Sequence, residues 1–573
     1  MILKSFIDTQ KGADILWNLK YPSGQEHEIN FVFPLSLCIV DMKGAKQLCG
    51  MFDSNNAKRP CVSCKCTYKN LDKPKKRCEN ILQKEMRTII IQNTQEELKL
   101  VSQHKLVDNA FFDIDIGGWK YGIWGLCPSE ILHQFYEGLV KYALEYFFKT
   151  VLTDGSRNNL IRDVDDIISL SKGQSDRDFP QVCFVMGVTS YAKLSGIEKF
   201  NTIFYLCIYL CTSRIYKLYD GCTAVFDKDA EIKFKKWQKL FQTMVFYRDW
   251  LMKENHNRFD VEHKKHKMVI FMKQFKSVVK REAGAKLKIP KYHELLHICR
   301  DILRHGPPRG YDTCPVESNH RPLKALAQNT QRIQSRFEKQ TADRLFEDNI
   351  MYTAWKDCGG GLSKGKQTMN ISYGHYFLKY GSNYNGSNHN LEFINKDNET
   401  PLSNTVDFEP ELLSFLENNL GSKLENSNTL LNCYSTYKRD GNIFYGCSRD
   451  NYLQRKNPSW AIFKWINNNN IETYVPGKCI CFIDMREVRF ENNDALFPSE
   501  LHVVIQSLTG EPKLQAENKP RIADRMFLTD KPKYYIVSVN TISETAFVIP
   551  DKTEENPNQY LYLYPRREWK DKF

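Results

Sequence analysis

The stretch Thr313-Cys-Pro-Val-Glu-Ser-Asn-His-Arg-Pro-Leu-Lys324 sets one carboxylate, Glu317, three residues ahead of His320 and seven ahead of Lys324. A polar segment follows that reads as a helix to about residue 355, with Arg332, Arg336, Lys339 and Arg344 along it. A carboxylate at the mouth of a basic helix is an odd choice for packing alone. It suits holding a divalent metal against a nucleic-acid phosphate. The other carboxylates and metal-type ligands are therefore read for whether they could converge on Glu317.

The chain has 573 residues, enough for two to four domains of roughly 100–200 residues each. At 42% apolar and 26% charged it is globular in composition, and 34 Phe and 29 Tyr can fill large cores. The net charge of +13 favours a polyanionic partner, most often nucleic acid, although a merely basic protein has the same balance. The 18 cysteines are scattered, with one dense cluster near residue 61. The first residues, Met1-Ile-Leu-Lys-Ser-Phe-Ile-Asp8, lack a basic region followed by an apolar run, so reduced thiols and a metal site are expected rather than a disulfide scaffold. The longest apolar run, Ile203–Cys211, is far short of the ~20 residues a bilayer needs and reads as a buried helix. No membrane partner is expected.

Upstream, residues 1–30 are weakly patterned, and the run Phe31–Val40 reads as a buried strand ending in Asp41. Catalytic groups gather at strand C-termini in open α/β sheets, but a polar residue that simply ends a strand is the plainer reading. Cys61 and Cys64 form a C-x-x-C with Cys66 and Cys78 near, flanked by lysines and arginines. Two thiolates at that spacing can share a zinc, which needs two more ligands. Asp113 and Asp115 would point the same way in an extended segment, which would suit metal binding, but a solvated loop is the plainer reading.

A helix is expected from Cys127, with Pro128 in its first turn and Ser129 as N-cap. Ile131, Leu132, Phe135, Leu139, Ala143, Leu144 and Phe147 give it a core face, and Glu130 and His133 project from one side. Residues 155–300 read as mostly helical, with a basic stretch from Glu262 to Lys288 whose Lys264 and Lys265 are candidate DNA contacts. His293-Glu-Leu-Leu-His297 fits H-E-x-x-H, the helix of zinc proteases, for which Glu317 is a nominal third ligand. Beyond residue 357 the Gly-, Asn- and Ser-rich composition reads as a linker, and from about 430 short aromatic and β-branched runs read as a separate small β-barrel or sandwich.

Taken in order, Val40-Asp41, Cys49-Gly50, Arg59-Pro-Cys-Val-Ser-Cys64, Pro128-Ser-Glu-Ile-Leu-His133 with Gly138, Pro290-Lys-Tyr-His293, Ile302 to Gly306, Tyr311-Asp-Thr313 and Glu317-Ser-Asn-His320 with Lys324 resemble the islands of CACTA-type, En/Spm-like DDE transposases, the group that includes the Plavaka and Kyakuja-Dileera-Zisupton elements. The resemblance spans roughly residues 30–355. It implies an α/β fold, an RNase H-like core with a large helical insertion, followed here by the small mostly-β C-terminal domain. The expected divisions are residues 1–150 (core with the Cys cluster), 151–290 (insertion), 291–356 (core with the last acid), 357–428 (linker) and 429–573 (β-rich). It implies a transposable-element protein that cuts and joins DNA in recombination, using Mg2+ or Mn2+ held by three acids. Asp41 matches the second acid and Glu317 the third, with His320, Lys324, Glu130 and His133 supporting.

Lys324, Arg332 and Arg336, with Lys264 and Lys265, are expected to contact DNA, at transposon ends or in genomic DNA. A structural zinc is expected from Cys61, Cys64 and His133, with Cys127 or Glu130 as fourth ligand. The nucleus and a homo-oligomer are the expected setting. Two departures stand out. The family's Asp before the His is Glu130 here. Only 40 residues precede Asp41, and Asp8 and Asp14 lie in no convincing strand, so the first acid and opening strands are expected to be missing from an N-terminally incomplete core. The alternative expectation is therefore a non-catalytic, domesticated DNA- or chromatin-binding protein.

Overall fold

Apolar side chains on every face of one helix fix the centre of the molecule. Residues Ile203 to Leu210 are all buried, as expected of a helix enclosed on all sides. In the computed structural model, the described residues are 16–20, 26–30, 37–52, 57–74, 79–105, 120–171, 194–216, 218, 230–281, 284, 286–313, 339–340, 342–347, 350–351, 375–379, 393–395, 414, 430–434, 436–439, 442–446, 459–466, 472–484, 501–508, 523–528, 534–564 and 573. They form a mixed assembly of helices and antiparallel sheet.

Near the start, β1 (Leu16–Lys20) and β2 (Glu26–Asn30) pair as an antiparallel hairpin, in a stretch whose sequence is weakly patterned. The expected strand at 31–40 is absent over its described part. Residues 37–40 are irregular, held by the Cys38 N–H donating to the Leu126 carbonyl at 3.0 Å. Asp41 does not close a strand; it caps helix α1 (Met42–Leu48), its Oδ1 accepting the Gly44 N–H at 2.7 Å.

The helical half follows the apolar periodicity. Residues Leu132–Val140 and Phe147–Val151 take wide π-helical turns on either side of Lys141–Tyr146, and all of the expected core face except the half-buried Leu132 is buried. Around this element pack α2 (Asp154–Ser171), α3 (Gly196–Tyr209), α4 (Ala230–Leu251) and α5 (Arg258–Val278). The start of α3 is written in its sequence. Ser195 and Glu198 form a capping box, satisfying two backbone N–H groups that a helix end leaves without partners. Lys199, buried in the next turn, is neutralised by Glu137 of the π-helical segment. Beyond it, Pro290–His293 and α6 (Ile298–His305) are joined by a single 3-10 turn, Glu294–Leu296.

The C-terminal strands are β3 (His375–Lys379), β4 (Phe393–Asn395), β5 (Leu430–Tyr434), β6 (Thr436–Arg439), β7 (Asn442–Tyr445), β8 (Trp460–Ile466), β9 (Glu472–Asp484), β10 (Leu501–Ser507), β11 (Ala523–Phe527), β12 (Tyr534–Ser538), β13 (Ile542–Pro550) and β14 (Gln559–Leu563). The large sheet runs β11-β14-β13-β8-β9-β5-β3-β4, with β10 bridging β9 and β12. Its described pairings are antiparallel. Strands β3 and β4 lie in the stretch whose composition reads as linker; neighbouring strands, not local sequence, draw them in. After the β6–β7 hairpin the chain runs close over β9, where a Cβ on Gly446 would lie 2.5 Å from the Ile480 carbonyl oxygen.

This sheet is not packed by itself. Phe547, Val548, Ile549, Leu561, Tyr562 and Leu563 belong to the same hydrophobic cluster as the helices. The seam carries one buried polar knot. Asp551 accepts from the Ser213 N–H (2.7 Å), the Ser213 hydroxyl (2.6 Å) and Gln559 Nε2 (2.9 Å). Asp551→Ala strands those donors away from water, so the midpoint of urea unfolding should fall by the equivalent of about 3 kcal/mol. A shift within error would show that the seam is wet.

Candidate metal centre

The C-x-x-C segment is held in shape by its backbone. Lys65 N–H donates to the Glu79 carbonyl (2.8 Å) and Ile81 N–H to Ser63 (3.3 Å), and Cys64 bridges Asn80. The turn thus presents Cys61 and Cys64, both buried, on one side. Opposite stands the helical stretch beginning at Pro290, a residue suited to a first helical turn. One turn of spacing puts His293 and His297 on the same face, their rings 5.0 Å apart.

These four side chains meet. Cys61 Sγ lies 3.3 Å from His297 Nε2, and Cys64 Sγ 3.2 Å from His293 Nε2. All four ligand atoms lie within 4.8 Å of one another, and all four residues are buried. Two thiols and two imidazoles converging through one atom each can hold a metal such as zinc, for which a closed Cys2His2 set is a structural arrangement. The surroundings favour the ligand forms. The hydrogen bond from Cys64, with His297 and His293 adding to it, holds the Cys61 thiol well below its usual range against burial. Burial, with Arg300 beside it, holds His297 below the ordinary histidine value. A deprotonated thiol and a neutral imidazole are what metal coordination requires.

The expected ligand set is corrected in two places. His133 is outside the set of side chains that converge with the cysteines, and its Nδ1 and backbone N–H both lie 2.7 Å from Glu130 Oε1. Cys127 and Glu130 are likewise outside the converging set. The zinc-protease reading of His293-Glu294 also fails on geometry, since such a site keeps a coordination position open to solvent and here two buried sulfurs face the histidines. The signal that could have joined the halves was stoichiometric: a C-x-x-C lacking two ligands and an H-x-x-x-H lacking two ligands complete one another.

Beside the centre lies a cleft lined by Asp41, Cys61, Ser63, Ser129, Glu130, His133, Lys291 and Glu294, among others. Glu130 is buried and spoken for at both oxygens. Oε1 serves His133, and Oε2 accepts the Thr313 hydroxyl at 2.7 Å. It therefore positions His133 and Thr313. Burial, with Cys61 and Glu130 near, pushes the Glu294 carboxyl well above its ordinary value. Cys127 is pushed up to about 12 by burial. Under the cleft, Arg300 donates to Asn80 Oδ1 (2.7 Å) and to Asp301 Oδ1 (2.8 Å), while Asp301 Oδ2 accepts the Ser129 N–H (3.1 Å). Three chain segments are locked together within one turn of His297.

Glu317, His320, Lys324, Arg332 and Arg336, with Asp113 and Asp115, lie outside the described residues. Among the described residues, the Cys2His2 set is the only group of three or more ligating side chains close enough to share an ion. Lys264 is corrected as a DNA contact. It is buried and bonded to the Phe573 backbone oxygen, whereas Lys265 is exposed and paired with Glu262. No helix among the described residues is long and apolar enough to cross a membrane. Comparison with known protein families, curated proteins and solved structures finds no match.

The purified chain should carry one zinc per molecule by elemental analysis. Cys61→Ser or His297→Ala should lose most of it, whereas His133→Ala and Cys66→Ser should retain it. Equal zinc in all four variants would refute this ligand set. Chelation of the wild-type protein should lower its thermal midpoint, more readily as pH falls and protons compete for the thiolates and imidazoles.

Proposed function

We propose that this chain is a DDE-type, transposase-like protein of the CACTA group, with an RNase H-like core interrupted by the helices between residues 151 and 290. The observation that carries this reading is the cleft. Its residues come from three of the islands that carry the resemblance, around residues 41, 61 and 130, and from the Pro290 island. Thr313, four residues ahead of Glu317, donates into the same place through Glu130. Asp41 and Glu294, 253 positions apart in sequence (294 − 41 = 253), thus line one site.

In this reading Asp41 and Glu317 are the acids that bind the catalytic cations. Mg2+ or Mn2+ bound there would stabilise charge on the transferring phosphate and activate the attacking oxygen. Glu130 fixes the His133 ring by taking its Nδ1, so the opposite nitrogen is the one aimed away from the carboxylate. Lys291, lining the same cleft, supplies positive charge for a phosphate. The buried zinc centre is a brace that keeps both halves of the cleft in register. DNA is the proposed partner and the nucleus the proposed location, supported by the net charge of +13.

The test is nicking or strand transfer on DNA carrying element ends, with Mn2+ or Mg2+. Asp41→Asn and Glu317→Gln should each reduce the rate by at least about 100-fold while leaving zinc content and DNA affinity unchanged. DNA binding without cleavage in any metal, indifferent to both substitutions, would replace the enzyme with a non-catalytic DNA- or chromatin-binding protein. Absence of DNA binding would remove both readings.

A further inference from the structure

Phe573 lies in the helical half, nine residues beyond Tyr564, which directly follows β14 (573 − 564 = 9), and only 4% of it is exposed. Its ring centroid stands 5.0 Å from Tyr247, 5.7 Å from Trp250 and 6.0 Å from Phe271. Those three rings come from α4 and α5 and are themselves buried. Lys264 of α5, also buried, donates its ammonium to the Phe573 backbone oxygen. Asp260 holds the other side of that ammonium at 3.5 Å and accepts the Trp250 Nε1–H at 3.1 Å.

A buried lysine is expensive unless its charge is answered, and a single carboxylate one turn away answers only part of it. The remainder is directed at a backbone oxygen beside an aromatic ring. Three aromatic walls with one cation at the rim make a specific receptor for such a group, since the walls take the ring and the ammonium takes the oxygen. The charge does not serve DNA, and packing alone would be better met by an apolar side chain at position 264.

We propose that the aromatic-and-lysine socket between α4 and α5 is a binding site for an aromatic residue of a peptide, filled in cis by Phe573, whose seating latches the β-rich part of the chain to the helical part. The latch is reversible in principle, because one ring and one oxygen are a small contact compared with the shared core. A peptide from another source that carries an aromatic residue competes for the same socket once Phe573 leaves it.

The experiment uses the full chain. In Phe573→Ala, amide hydrogen exchange in residues 244–251 and 264–275 should quicken at least tenfold, whereas Phe573→Leu should remain within about threefold of wild type. A labelled peptide reproducing residues 565–573 should bind Phe573→Ala at least ten times more tightly than wild type, in which the socket is filled. Adding Lys264→Met to Phe573→Ala should weaken that binding, as should an alanine at the peptide's last position. Unchanged exchange in Phe573→Ala, equal peptide binding by the two full chains, or indifference to Lys264→Met would each overturn the proposal.

Discussion

Two pairs of ligands 229 and 236 residues apart in sequence meet at one point, and the arrangement of the site depends on their meeting. Closing a loop of that length costs roughly 5 kcal/mol in chain entropy. A structural zinc in a Cys2His2 set contributes about 10–16 kcal/mol on binding, so it can outweigh the closure with a margin left for orienting the ligands. The helices between residues 154 and 278 can then be long and can pack among themselves without loosening the cleft. Arg300, Asp301, Asn80 and Ser129 extend the same clamp by hydrogen bonds, so the metal-type ligands, the C-x-x-C turn and the start of the π-helical segment behave as one body.

Much of the helical half was legible because its signals are local. The apolar run at 203–211, the capping box at Ser195 and the periodic face from Ile131 to Phe147 each specify an element without reference to distant chain. The β-rich end was legible as a class but not in its boundaries. β3 and β4 sit in a stretch composed like a linker, and a strand is defined by the neighbour that pairs with it, which composition does not record. Nor could the runs near 547 and 561 announce that their buried faces would join the helical core.

The site divides along the same line. C-x-x-C and H-x-x-x-H were each visible as half a metal site, since spacing alone decides whether two side chains face one way. Which halves belong together is a tertiary fact. His133 was expected beside Cys61 and Cys64, yet the places opposite those sulfurs are taken by His293 and His297, and the His133 Nδ1 lies against Glu130. Lys264 looked like a DNA contact because it lies in a basic run, yet a helix turns successive residues through about 100° and one lysine of such a run can face inward. Asp41 was read as the end of a strand, and its place at the head of α1 arises from a local bond to Gly44 that any Asp at a helix start can make.

Glu130 shows how the cleft resists rearrangement. A buried carboxylate needs its lone pairs filled, and here three donors from two segments fill them: the His133 N–H, the His133 ring and the Thr313 hydroxyl. An Asp at this position would be one methylene shorter. It would have to choose between His133 on its own helix and Thr313, which lies 183 residues along the chain. The longer side chain reaches both. Glu130 thereby ties the orientation of His133 to the segment that carries Thr313.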